Sequence, residues 1–336
     1  LKAAVLEAIN KPLALRNVQT TPLELGQVLV KVLVSGLCGS QLHEMKGNKG
    51  NNKYLPHLMG HEGCGIVQEV GLGVSTVKVG DKVVMHWRPG AGIESSFPSY
   101  VLDGKNISSG KVNTLTEMAI VSENRITAVP QNTPPEFCAI LGCALTTALG
   151  IIDNEVDLKF GENVAIIGCG GVGLNLLQAA KLKSACSIYA IDANSEKRDL
   201  CFTAGATFFA SSINEITETI DVIIDTTGIP KVISDAISKL SGNGRIILVG
   251  QPNPRESLEV LNAVNLFSGN GQSIKATQGG RTNPSEDIPR YVRMYEQGLL
   301  DVNQFITHRF SLNQVNEAFD ILKSGIAGRI IIEIGV

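Results

Sequence analysis

Apolar and polar positions alternate early in the chain: Val28, Val30, Val32 and Val34 alternate with other residues, as on one face of a strand. Gly71, Gly73, Gly80, Pro89, Gly90, Gly92 and Pro98 punctuate the same region, so residues 1–145 read as mostly β. From about Leu158 the texture changes. Residues 163–167 form a short apolar run, followed by glycines and a helical stretch over 172–182. Residues 187–191, 222–224 and 245–249 are further short apolar runs, and a helical pattern covers 231–240. Strand and helix alternating in this way predict a parallel sheet covered by helices. After about Thr277 the alternation ends. Residues 329–334 predict a buried strand that returns to the first domain. No internal repeat and no low-complexity segment stands out.

Composition narrows the picture. A chain of 336 residues is long for one core and suits two domains. With 43% hydrophobic and 18% charged residues it is globular in composition. A net charge of −3 and the lack of a dense Lys/Arg run argue against a nucleic-acid-binding surface. No apolar stretch reaches the length a membrane span needs. Leu1-Lys2-Ala3-Ala4-Val5 runs into a strand-like pattern without the organisation of a signal peptide. Seven cysteines in such a chain point to a reduced, cytoplasmic protein with thiols available as metal ligands.

Candidate chemistry begins at Gly168-Cys169-Gly170-Gly171-Val172-Gly173, which follows an apolar run and opens a helix. A lone match of this type is equally a tight turn. Here an acid, Asp192, follows at the end of the next apolar run, the arrangement expected of a dinucleotide site. The glycines let the backbone approach a pyrophosphate, and the helix start offers N–H groups and a positive dipole end. Asp192 would accept hydrogen bonds from the adenosine ribose and repel a 2′-phosphate, favouring NAD over NADP. The nearest cation in sequence, Lys197, is five residues on, and no Arg is at hand to compensate.

Cys38, His61 and Cys143 are metal-ligand types, but their spacing alone does not nominate them. Their settings do: Cys38-Gly39-Ser40-Gln41-Leu42-His43, then Gly60-His61-Glu62-Gly63, then Gly142-Cys143-Ala144-Leu145-Thr146-Thr147, all upstream of the glycine turn. With Val79-Gly80-Asp81-Lys82-Val83, Asp287-Ile288-Pro289 and Gly328-Arg329, this ordered set resembles the medium-chain zinc-dependent alcohol dehydrogenases over essentially the whole chain. The resemblance implies an α/β protein with a GroES-like β-rich catalytic domain (1–145 and 278–336) and a doubly wound, Rossmann nucleotide domain (146–277). It implies that Cys38, His61 and Cys143 bind a catalytic zinc and that Glu62 assists ligand exchange. Ser40 and His43 would form a proton relay. Thr147, Lys197, Thr227, Val249 and Arg329 would join Gly168, Gly170, Gly171, Val172, Gly173 and Asp192 at the cofactor, with Val172 behind the nicotinamide. Trp87 matches a pocket residue in the family and is equally readable as core. A homodimer or homotetramer is implied as well.

The chain departs from the family pattern at three places. Gln41 stands where an Asp usually orients the zinc-bound histidine; an amide is still able to bond His61, without the charge. Residues 88–137 contain no Cys, so one catalytic zinc and no structural zinc is expected. Gly39 replaces a basic residue that some relatives place at the pyrophosphate. The expected reaction is reversible hydride transfer between NAD and a small-molecule alcohol or its carbonyl product, zinc acting as Lewis acid. Arg88 and Gln278 leave a polyol or sugar substrate open. The competing readings are a metal-free quinone or enoyl reductase, against which the Cys/His/Cys set argues, and a non-catalytic nucleotide-binding protein.

Overall fold

The valine alternation is realised as the ten-residue strand Gln27–Gly36. Val28, Val30 and Val32 are completely buried and pack with Val67, Val83, Met85 and Val121, while the intervening Lys31 is exposed. Burying each such side chain is worth roughly 1.5–3 kcal/mol, which fixes the strand's register as well as its existence. In the computed structural model, which describes residues 1–50, 54–260 and 271–335, the chain divides into two units. One comprises Leu1–Thr146 with Asn283–Val336, the other Thr147–Thr282.

In the first unit Gln27–Gly36 pairs antiparallel with Gly63–Val70 along one edge. Along the other edge it pairs with Met118–Ser122 and Arg329–Glu333. The terminal apolar run thus forms the buried strand its pattern predicts, with Ile331 opposite Gly36 and Ile332 opposite Ser35. A second layer, mostly antiparallel but with His57–Leu58 and Lys105–Ser109 paired in parallel, includes Lys2–Leu6, Ser99–Leu102 and Lys105–Ser109. The last two strands form a hairpin within the Cys-free stretch 88–137.

His86, just beyond the strand Lys82–Met85, is buried in this unit. Its Nδ1 donates to the Arg88 carbonyl at 2.7 Å and its Nε2 accepts from the Thr127 hydroxyl at 2.9 Å. Burial lowers its pKa to about 4. The unfolded chain therefore binds a proton near pH 6.5 that the folded chain refuses until about pH 4. Stability contributed by neutral His86 is complete above about pH 6.5 and is lost as pH falls toward 4, by about 3 kcal/mol in all. His86→Gln is expected to flatten that acid limb relative to wild type in urea midpoints measured from pH 7 to 4. An unchanged limb would show that His86 does not set it.

The second unit holds a six-stranded, wholly parallel sheet among the described residues. Its spatial order is Phe208–Ala210, Ser187–Ile191, Asn163–Ile167, Ile220–Asp225, Leu240–Leu248 and Ser273–Ala276. The first strand in sequence lies inside, the next two on one side and the last three on the other, as in a doubly wound nucleotide fold. Its strands read as continuous apolar runs because helices cover both faces. One boundary differs from the periodicity. The helix expected over 231–240 is Pro230–Ile237, and Leu240 already belongs to the following strand, paired with Ile220. Leu240 is apolar because the sheet core takes it, and helical spacing does not distinguish that burial from a helix face.

Candidate functional site

Three chain segments meet at Cys38, His61 and Cys143. The pairing of Ser35 with Gly63 sets two antiparallel strands in register. Cys38 lies three residues beyond Ser35, and His61 two residues before Gly63, so both reach the same end of the pair. Cys143 follows Gly142, in the turn between the helices Pro135–Leu141 and Ala144–Gly150. A Cβ on Gly142 would lie 2.3 Å from the Met85 carbonyl and 2.8 Å from Glu62 Cα, so only glycine lets this turn come so near His61 and Glu62. The two thiols and the imidazole lie within 4.8 Å of one another. Contacts with Cys143, His61 and Ser40 pull the Cys38 thiol well below its ordinary pKa, against the opposing effect of burial. Two thiols and one imidazole are the soft and borderline donors that zinc takes, three in number as at catalytic sites.

Ser40 and His43 share the helix Gly39–Met45, three residues apart and so on one face. The Ser40 hydroxyl contacts the Cys38 thiol. His43 is half-buried, with Nδ1 3.5 Å from the Asn48 amide. Burial, then Lys46 and Lys49, lower its pKa. Glu62 and Arg329, assigned separate roles by sequence, are bound to each other at 2.6 Å and are both buried. Burial pushes the Glu62 carboxyl up against the pull of Arg329.

Two expectations need correction. Gln41 does not bond His61. Its Oε1 accepts the Cys38 backbone N–H at 2.9 Å, and its buried Nε2 has no partner among the described residues. As third residue of the helix it reaches back to cap the first free N–H, a local geometry that outcompetes a bond to another strand. Second, Asp192 does have a cation beside it. The buried Lys197 ammonium stands 3.3 Å from Oδ2, because the short helical turn Ser195–Lys197 folds five residues back on themselves. Trp87 is half-buried, packs against the Val28–Val30–Val32 core and carries the Arg88 guanidinium 5.7 Å above its ring.

The nucleotide candidates gather in the second unit at the carboxyl ends of adjacent parallel strands. Gly168 follows Asn163–Ile167, Asp192 follows Ser187–Ile191, Thr227 follows Ile220–Asp225, and Val249 follows Leu240–Leu248. Gly168 has φ +86°, and a Cβ on Gly173 would lie 2.0 Å from the Gly168 carbonyl oxygen. Gly171, Val172 and Gly173 form the first turn of the helix Gly171–Leu182. A Cβ on Gly170, at its N-cap, would meet nothing within 4 Å. Protein packing does not demand glycine there; an open backbone face at a helix N-terminus is what a pyrophosphate needs. Asp192 also accepts the N–H groups of Cys169 (2.8 Å) and Asn194 (2.9 Å). Thr147 is buried at the start of this unit.

Sequence reasoning missed Asp225. Its buried carboxylate accepts the Thr227 hydroxyl at 2.6 Å and the Gly228 N–H at 2.9 Å, fixing the loop that carries Thr227. The signal was Asp225-Thr226-Thr227-Gly228 at a strand end, an Asx-turn sequence.

Residues 24–131 match the family model described as alcohol dehydrogenase GroES-like domain, and residues 171–297 match zinc-binding dehydrogenase. The chain is 30% identical to alcohol dehydrogenase 6 of Peromyscus maniculatus, over 96% of this chain and 95% of that one. It is 28% identical to the NDMA-dependent alcohol dehydrogenase of Amycolatopsis methanolica, over 96% of each. Its fold superposes with a TM-score of 0.90 on an alcohol dehydrogenase zinc-binding domain protein from Burkholderia ambifaria, at 25% identity and covering 99% of this chain and 98% of the other.

Proposed function

The chain belongs to the medium-chain zinc-dependent alcohol dehydrogenase family, and on that premise we propose that it transfers hydride reversibly between a small alcohol and NAD. The observation that carries this reading is the Cys38, His61 and Cys143 cluster, with its donors within 4.8 Å. These three residues would hold zinc, and the glycine turn would hold the NAD pyrophosphate. Bound there, zinc supplies Lewis acidity toward an alcohol or carbonyl oxygen, and NAD supplies the hydride acceptor.

The chain's own residues do the rest. Ser40 takes the hydroxyl proton and His43 carries it outward. Burial and the neighbouring Lys46 and Lys49 favour neutral His43, ready to accept that proton. Arg329 holds Glu62 against the metal cluster and keeps its charge balanced. Asp192 and Lys197 receive the adenosine ribose. The exposed edge strand Ser273–Ala276, with Ile274 at the surface, suits pairing with a second copy in a dimer or tetramer. All seven cysteines are free, which supports a reduced, cytoplasmic setting. No single helix among the described residues is long and apolar enough to cross a membrane.

Metal analysis is expected to give one zinc per chain, and NAD with primary alcohols to give growth of the NADH absorbance band. Two tightly held zinc ions would refute the single-site reading. No growth of the NADH band with alcohols or polyols, and no loss of it with aldehydes and NADH, would refute the reaction.

Lys197 tempers cofactor choice. Its ammonium offsets part of the Asp192 charge that a 2′-phosphate would meet, so preference for NAD is expected at roughly ten- to a hundredfold, below that of a bare carboxylate. Asp192→Gly removes an acceptor of three hydrogen bonds and leaves Lys197 unpaired. Its NAD kcat/KM should fall about tenfold or more, and NADP should gain on NAD. An unchanged ratio of kcat/KM for the two cofactors would rule Asp192 out as the discriminator.

A further inference from the structure

The helix Gly39–Met45 carries a buried polar residue that the proposed reaction leaves without a role. Gln41 has no exposed surface. Its Oε1 accepts the Cys38 N–H at 2.9 Å, and its own N–H donates to the Cys38 carbonyl at 3.0 Å. The pair of bonds closes around the point where extended backbone at Cys38 (φ −119°, ψ 142°) turns into helix. Just before it, the Leu37 N–H is tied to the Ile330 carbonyl at 3.1 Å. The direction in which the Cys38 thiol leaves the chain is therefore set from both sides, and Gln41 supplies the nearer hold.

The choice of an amide is informative. A buried N–H without an acceptor is costly, and Gln41 Nε2 is such a group among the described residues. An apolar side chain would avoid that cost and lose only the acceptor for Cys38. A carboxylate would also keep the acceptor, and would bring a buried negative charge with it. The amide accepts from Cys38 without adding a charge.

We propose that Gln41 is a positioning residue for the metal, acting on the Cys38 thiolate through the Cys38 backbone N–H. This rests on the zinc reading above. A simple helix cap would lower stability with and without metal alike and leave metal affinity unchanged, so affinity is the deciding quantity. The experiment uses the full chain and two variants. Gln41→Met keeps length and volume without the acceptor; Gln41→Glu keeps the acceptor. Zinc affinity is read by chelator competition, and the thiolate-to-metal absorption band is read on cobalt-substituted protein. Gln41→Met is expected to lose about 10- to 100-fold in zinc affinity and to shift the band, while Gln41→Glu binds within about threefold of wild type or tighter. Gln41→Met binding zinc like wild type would overturn the proposal. Should Gln41→Met not fold, Gln41→Leu, which also lacks the acceptor, decides: a tenfold loss of affinity supports the proposal, and unchanged affinity overturns it. Wild-type chain that takes up no zinc would remove the premise and the proposal with it, whereas zinc-loaded wild type beside an unaffected variant would refute Gln41's role alone.

Discussion

Replacing Cys143 with Ala is expected to lower turnover by roughly a thousandfold or more while leaving NAD affinity within about threefold of wild type. The substitution takes one of three donors from the metal cluster, and the two that remain, Cys38 and His61, do not define a closed catalytic set. Nothing in the glycine turn changes, because Gly168 to Gly173 lie in the other unit and are built on their own sheet. The variant's fold should survive, since Cys143 sits in a turn that Gly142 shapes. Kinetics with a panel of alcohols, zinc content and calorimetric titration with NAD separate these effects. Near-normal turnover in zinc-depleted Cys143→Ala protein would contradict the metal mechanism.

Gly173→Ala and Gly170→Ala should both weaken NAD binding, by about tenfold or more, for opposite physical reasons. At Gly173 an added Cβ would lie 2.0 Å from the Gly168 carbonyl oxygen, an overlap that only backbone movement relieves. Overpacking of that kind costs about 1–3 kcal/mol of stability, so this variant should melt lower even without cofactor. At Gly170 the added Cβ meets no protein atom within 4 Å. It instead enters the face over which the pyrophosphate would lie. Gly170→Ala should therefore keep wild-type thermal stability and still bind NAD poorly. Thermal melts and NAD titrations of both variants test the pair together. A Gly170→Ala protein with unaltered NAD affinity would place the pyrophosphate elsewhere.

The strands and the glycine turn were legible because each rests on local pattern. Alternation at Val28, Val30, Val32 and Val34 reports burial on one face, and Gly168 to Gly173 report a turn that tolerates no side chains at its closest contacts. The proposed metal ligands were not legible from spacing. Cys38, His61 and Cys143 come together through the register of two antiparallel strands and the approach of a helix turn, and the surrounding motifs alone nominated them. What escaped altogether was how neighbours pair. Glu62 and Arg329 are 267 positions apart, and nothing in either segment announces the other. Lys197 seemed remote from Asp192 because five residues of extended chain would separate them, whereas a single helical turn does not. Gln41 faced a choice between a distant imidazole and a backbone N–H three residues away, and the nearer partner won. The end of the helix at Ile237 was missed because Leu240 keeps helical spacing while serving the sheet.

The strand Arg329–Glu333 bears on the order in which the protein matures during synthesis. All three proposed metal donors are made by residue 143, yet the strand that flanks Gln27–Gly36 and the guanidinium that pairs with Glu62 come from residue 329 onward. At ribosomal speeds the interval is roughly ten to forty seconds. During that time Glu62 has been made without its counter-cation, while the stretch Thr147–Thr282, contiguous in sequence, is completed. The nucleotide half is thus positioned to form first. The first unit completes only once Arg329–Glu333 has been made and paired with Gln27–Gly36.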